Sequence, residues 1–300
     1  MWSQNEARSF LQNLLQNLPT LPFEPALLPM LFAATKEDSN ASMGELVALI
    51  ERSQKLTVRV LAMANSASYG QEFQVSTLHR AINILGISEI RILLVIVGMS
   101  SIIKRSKLPA NFDINELWDH QFKVATIAKV LAAELGGCSG LCGPGAAEGT
   151  HLIMAQDEAY IAGLLHDIGK ILFAASRPDL WEEINKNWNH SRQAYFEAEN
   201  ACWGIDHALI GARVLHHWQL PSLLTEPINW HHAPELAPVY KMETRLLAAA
   251  NYIAHSESAR ENGLCEEAIL LLPQEIDAVA IGTAIKRALA NATDLETFTQ

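Results

Sequence analysis

The sequence predicts an all-α fold, a multi-helix bundle, on three observations. Nearly every periodic segment repeats its apolar residues at spacings of three and four, and no stretch alternates as a half-buried strand would. Helix-start and helix-stop chemistry flanks several of these segments. With 300 residues, 49% of them apolar and 18% charged, the chain has enough apolar mass to bury a core.

In chain order, Phe10, Leu11, Leu14, Leu15 and Leu18 form a first stripe, which stops at the proline-punctuated LPTLPFEP stretch. Ser42 with Glu45 makes a capping box ahead of Leu46, Leu49 and Ile50. Leu56, Val60, Leu61 and Ala64 predict a helix that runs into the turn-rich NSASYG, Asn65 to Gly70. Leu78, Ala81, Ile82 and Leu85 follow, ended by Gly86 as a C-terminal cap. Ser88 is then positioned to start a helix through Ile90, Leu93, Leu94 and Val97.

The pattern lapses from Pro109 to Asn115, which predicts an amino-terminal lobe over 1–110 and a second helical lobe over 111–300. Leu117, His120, Val124, Ile127, Leu131 and Leu135 give a long helix with a histidine on its inward stripe. Gly136 to Thr150 is a glycine-rich loop. Its Cys138 and Cys142, near His151, hint at zinc, but no second cysteine pair stands at ligand spacing, which favours a plain flexible insertion. Trp181 to Cys202 reads as a helix pair. Asp206 can cap a helix holding His207, Ile210, Val214 and Trp218, and Leu247, Asn251 and Ala254 share a face of another. A last amphipathic helix within Gln274 to Asn291 is expected to turn Ile276, Val279 and Ala280 inward.

The chemically informative stretch is YIAGLLHDIGKILF, Tyr160 to Phe173. His166 and Asp167 stand in the middle of an apolar helix-like run, where an imidazole and a carboxylate are costly unless paired or bound to metal. Other polar residues fall on or near inward faces: Glu116, His120, His207, His231, His232 and Asn251. Each lone histidine has a simpler explanation as a hydrogen-bonded core residue. Their joint occurrence on separate helices is how helix bundles build metal sites. Imidazoles with one or two carboxylates suit iron, manganese or zinc, whereas magnesium prefers more oxygen.

A net charge of −11 and the lack of a basic run argue against binding a nucleic-acid backbone. The start, MWSQNEARSF, lacks the features of a signal peptide, and the apolar run around Ile92 to Val97 is too short to span a membrane. Four cysteines form no dense framework, which fits a reducing cytoplasm.

Leu21-Pro22, NSASYG, LHRAINILG (Leu78 to Gly86) and GLLHDIGK, in this order, resemble the HDOD family of bacterial regulatory domains, relatives of the HD-type metal phosphohydrolases. The resemblance runs from about Leu18 to His232. It implies an amino-terminal helical lobe, an HD-like second lobe, and a signalling role exercised on partner proteins. Matched to the HD pattern, His120 is the first histidine and His166 with Asp167 the signature pair. Asn251 then stands where an aspartate ligand belongs. His207, His231 and His232 are similar to the extra ligands of the HD-GYP branch, whose members hydrolyse cyclic di-GMP, and Glu116 occupies a place used in that branch. The segment after His232, APELAPVY, has no GYP motif, and Ser53-Gln54 replaces a common Asp-Pro pair.

Two functions follow as expectations. One is a regulatory module acting through signalling proteins, its histidines a vestigial or structural cluster that either retains a divalent metal or holds none. The other is a metal-dependent phosphohydrolase or cyclic-dinucleotide phosphodiesterase acting on a nucleotide second messenger. In the second, Asp167 and Lys170 carry the catalytic roles, with Lys170 steadying a phosphate.

Overall fold

A computed structural model of the chain describes residues 2–18, 21–35, 39–66, 69–70, 73–136, 154–188, 195–257, 259, 263–274 and 276–291. The described residues form α-helices and a short 3₁₀ turn, with no strand among them. They group into two compact units, each discontinuous in sequence. One joins Met1–Gln16, Leu108–Val214 and Ser222–Gln300; the other joins Asn17–Lys107 with Leu215–Pro221.

The smaller unit contains α2 (Leu27–Ala34), α3 (Met43–Glu51), α4 (Gln54–Ala64), α5 (Leu78–Leu85) and α6 (Ile87–Arg105). The capping box of α3 is formed: Ser42 Oγ accepts from the Glu45 N–H at 3.2 Å, and Glu45 Oε2 accepts from the Ser42 N–H at 2.7 Å. Asn65 explains part of NSASYG. Its amide donates to the carbonyls of Leu61 and Val75, and its Oδ1 accepts from the Val75 N–H, pinning the chain that leaves α4. Gly86, at φ 81°, ends α5 and serves as the N-cap of α6, so α6 starts at Ile87 and not at Ser88. Helix α6 is buried on all sides from Ile90 to Met99, as expected of a helix apolar around its circumference. Helix α2 was hidden from the periodicity by its prolines. Pro29 lies in its first turn, where a missing N–H costs no helical hydrogen bond.

The larger unit contains α1 (Gln4–Gln16), α7 (Ile114–Gly136), α8 (Gln156–Leu165), α9 (Ile168–Ser176), α10 (Pro178–Trp188) and α11 (Tyr195–Trp203). It continues with α12 (His207–His217, as far as Val214), α13 (Ser222–Trp230), α14 (Lys241–His255), α15 (Glu266–Leu271) and α16 (Ala278–Asn291). Residues 2–16, placed in the amino-terminal lobe by sequence, pack here. Trp2 and Phe10 lie 6.5 and 5.4 Å from the Phe173 ring, which stacks on Trp203 at 3.7 Å. Helix α16 also departs from expectation. Its first turn is capped by Asp277, which accepts from the N–H groups of Val279 and Ala280. That start turns Ile281, Gly282 and Ile285 inward and leaves Val279 80% exposed.

No single helix among the described residues is long and apolar enough to cross a membrane. The α5–α6 pair meets that measure only when taken together, and it is bent by 104°.

Two glycines set how closely the helices of the larger unit approach. A Cβ on Gly163 of α8 would run into the backbone of Ala125 on α7. One on Gly169 of α9 would overlap the His207 carbonyl at the start of α12. Overpacking of this kind costs about 1–3 kcal/mol or more, since neither neighbour is a flexible side chain. Gly163→Ala is therefore expected to lower the free energy of unfolding by at least about 1 kcal/mol. Chemical unfolding that finds the variant as stable as the parent would contradict the close approach of α7 and α8.

Candidate metal centre

The run from Tyr160 to Phe173 is two helices, and the HD pair is the joint between them. Helix α8 ends at Leu165, and Asp167, at φ −103° and ψ 11°, begins α9. Breaking there removes His166 from the helical ladder and points its ring along the end of α8. The His166 Nδ1–H donates to the Gly163 carbonyl at 2.8 Å. His231 repeats the device one residue beyond α13, donating from Nδ1 to the Ile228 carbonyl at 2.8 Å. Each ring satisfies a carbonyl orphaned at a helix C-terminus. Because a carbonyl can only accept, both rings carry their proton on Nδ1 and leave the Nε2 lone pair free to ligate.

The lone pairs converge on Asp167. Its Oδ2 lies 3.3 Å from His166 Nε2, 3.6 Å from His120 Nε2 and 2.6 Å from Lys170 Nζ. Its Oδ1 lies 2.9 Å from His207 Nε2 and 4.0 Å from His231 Nε2. One carboxylate thus faces two imidazole groups, His120 with His166 and His207 with His231 and His232. Within them, His120 and His166 bring their Nε2 atoms to 3.2 Å, and His207 and His232 to 3.0 Å.

These separations fit a divalent cation. Nitrogens about 2.1 Å from one ion and at right angles stand about 3.0 Å apart. The buried His231 Nε2 has no hydrogen-bond partner among the described residues, while Asp167 Oδ1 has the His207 ring beside it at 2.9 Å; an orphaned buried nitrogen is costly unless an ion or water fills the space. The cluster is compatible with a metal site on these grounds.

Electrostatics agree. Burial, reinforced by neighbouring imidazoles, lowers the pKa of His120 to about 2 and pushes those of His231 and His232 well down, so these rings are neutral donors. Burial raises the Asp167 carboxyl, but His166, Lys170 and His207 outweigh it and hold the group well below the ordinary carboxylate range. His207 is the exception. Burial opposes its charge, yet the carboxylates of Glu199 and Asp167 prevail and bring its pKa up to about 9 without metal.

Glu199 is the residue the sequence reading missed. Fully buried on α11, its Oε2 accepts from the His207 backbone N–H at 3.0 Å and from its Nδ1 at 2.5 Å. Gly204, at φ 68°, closes α11, and Asn200 donates to Asp206 at 2.8 Å, which folds the chain back so that Glu199 reaches His207. A carboxylate on the far nitrogen of a ligating histidine fixes its orientation and raises its basicity. Nothing in the eight-residue separation signals it. His255 was also missed; its ring lies 4.2 Å from that of His120.

The other expected site residues divide. His232 stacks on Phe196 at 4.2 Å and joins the group. Lys170 pairs with Asp167. Asn251 lies one turn before His255 on α14, with its Oδ1 buried and unpartnered. Glu116 is not brought in: it is exposed in the first turn of α7, where its N–H donates to Asp113. Cys138, Cys142 and His151, the alternative zinc group, lie outside the described residues.

Comparison with known proteins agrees with this architecture. The family model described as the HDOD domain matches residues 21–234. The chain belongs to the HDOD family. An HDOD domain protein with unknown function from Geobacter sulfurreducens has a similar structure, with a TM-score of 0.73 at 21% identity over 97% of each chain. So has a protein from Shewanella amazonensis SB2B whose name proposes a phosphohydrolase, at TM-score 0.71 and 24% identity, covering 97% of this HDOD chain and 98% of the other. At such identities the likeness is one of fold. An uncharacterized protein of Treponema pallidum (strain Nichols) is 24% identical over 216 residues, 72% of this chain; the match spans 38% of that longer relative.

Glu199→Gln is expected to weaken divalent-metal affinity about 10–100-fold, the usual cost of losing such a support. Calorimetric titration with Zn²⁺ at fixed pH would measure it, and an unchanged constant would remove Glu199 from the centre. The raised His207 pKa adds a pH signature. Below about 9 a proton competes for His207, so loading releases a proton and affinity should rise as pH climbs towards that value. Titrations in buffers of different ionisation enthalpy would register the released proton.

Proposed function

We propose that the chain is an HDOD-type regulatory module that carries a resident divalent cation, iron, manganese or zinc, and acts through signalling proteins. The observation that carries this reading is burial. His166, Asp167, His207 and His231 are each at most 1% exposed, so the donors lie in the interior where an ion stiffens the packing of five helices. A centre serving a bulky substrate needs an open position. The segment after His232 supports the same reading: Pro234–Leu236 form a 3₁₀ turn, and Glu226 accepts from the N–H groups of Val239 and Tyr240, tying it down. Cys202 and Cys265 are free thiols, which suits a reducing cytoplasm.

Lys170 favours a second reading, hydrolysis of a phosphodiester such as a cyclic dinucleotide. Its side chain is 19% exposed beside Asp167, and the side chain of His120 is 13% exposed on the same trio, so a phosphate could meet a cation there. Cations bound at the histidines would supply Lewis acidity towards the phosphoryl oxygens. Lys170 would hold the phosphate, and Asp167 would orient the imidazoles.

Elemental analysis of protein purified without chelators or a histidine tag separates these readings from an empty centre. About one or two equivalents of metal are expected, lost in His166→Ala and in Asp167→Ala. Metal-loaded protein that turns over nothing in a broad phosphoester panel would leave the regulatory reading standing. Turnover abolished by Asp167→Ala would replace it with the hydrolase.

A further inference from the structure

The two halves of the centre differ in charge and donor set. On the Asp167 Oδ1 side stand three imidazoles, His207, His231 and His232. That oxygen lies 2.9 Å from His207 Nε2, and His207 is backed by the fully buried carboxylate of Glu199. His231 Nε2 is buried with no hydrogen-bond partner among the described residues. On the Oδ2 side stand two imidazoles, His120 and His166, and the oxygen is already engaged by the Lys170 ammonium at 2.6 Å. A cation there loses part of the carboxylate charge and meets a like charge beside it.

Burial does not divide the halves: His207 and His231 are each 1% exposed with His232 half-buried, and His166 is fully buried with His120 half-buried beside an exposed His255. The donor that α14 adds near His255 is Asn251, whose amide oxygen carries no charge. Borderline cations prefer imidazole donors, and an ion loses affinity when a carboxylate is replaced by an amide.

We propose that the centre is deliberately unequal: His207, His231 and His232 with Asp167 Oδ1 hold a resident cation, while His120 and His166 with Asp167 Oδ2 form a labile second position that fills and empties with free divalent cation. The labile position would couple ion availability to the packing of α7, α8 and α14, which meet there. This rests on the metal-centre reading above and assigns different roles to its two halves.

Titration of chelator-stripped full-length protein with Mn²⁺ tests it, read by calorimetry and by the electron paramagnetic resonance of the ion. The first equivalent should give the spectrum of an isolated Mn²⁺. The second should bind at least tenfold more weakly and bring in the signal of a coupled pair. Lys170→Met and, independently, Asn251→Asp should tighten the second equivalent by about tenfold or more and leave the first within about twofold. Glu199→Gln should do the reverse, loosening the first about 10–100-fold. Circular dichroism of each variant secures its fold, and with two variants acting on one position, a single unfolded one does not stop the test. Two equivalents of equal affinity, a coupled signal from the first additions, or variants that shift both steps alike would overturn the inequality while leaving the metal centre intact. No bound Mn²⁺ at any concentration would overturn the centre itself.

Discussion

A carboxylate sealed from water must be answered by charge or by an ion, and in this chain that carboxylate is Asp167. At 1% exposure it has an ammonium on one oxygen and imidazoles around both. The cost of burying it would exceed anything a single salt bridge returns. Four other helix segments are therefore held to it: α7 through His120, the end of α8 through His166, α12 through His207, and the end of α13 through His231 and His232.

Helix ends do much of this positioning. His166 and His231 each occupy the first position beyond a helix, where a carbonyl lacks its N–H partner. Spending the Nδ1 proton on that carbonyl settles the tautomer and aims the other nitrogen inward. His207 opens a helix, and its backbone N–H, one of the groups a helix start leaves unpaired, goes to Glu199 together with its ring proton. The same bonds that complete the secondary structure orient the clustered imidazoles.

The smaller unit shows a different logic. Its helices pack by apolar area, with α6 buried around its circumference and Asn65 and Gly86 placing the turns. Its described segments bring no carboxylate or imidazole to the centre.

The helical class, most segment limits and the histidines that cluster with Asp167 were legible in the sequence by itself, because apolar period and capping chemistry are local properties. His120, His166, Asp167, His207, His231 and His232 stood out since each is a polar residue where the period calls for an apolar one. What only the tertiary structure decided is which of them meet, and through which atoms. Gly163 and Gly169 let α7 meet α8 and α9 meet α12 at backbone distance; where the first pair meets, His120 and His166 stand 3.2 Å apart through Nε2, and where the second meets, Asp167 stands 2.9 Å from His207. Glu199 reaches His207 only because a left-handed Gly204 folds α11 back on α12, while Glu116, one turn from His120 in sequence, stays in solvent. Periodicity tells a residue which side of its own helix it faces; the partner across that face is set by non-local packing, which no local pattern encodes.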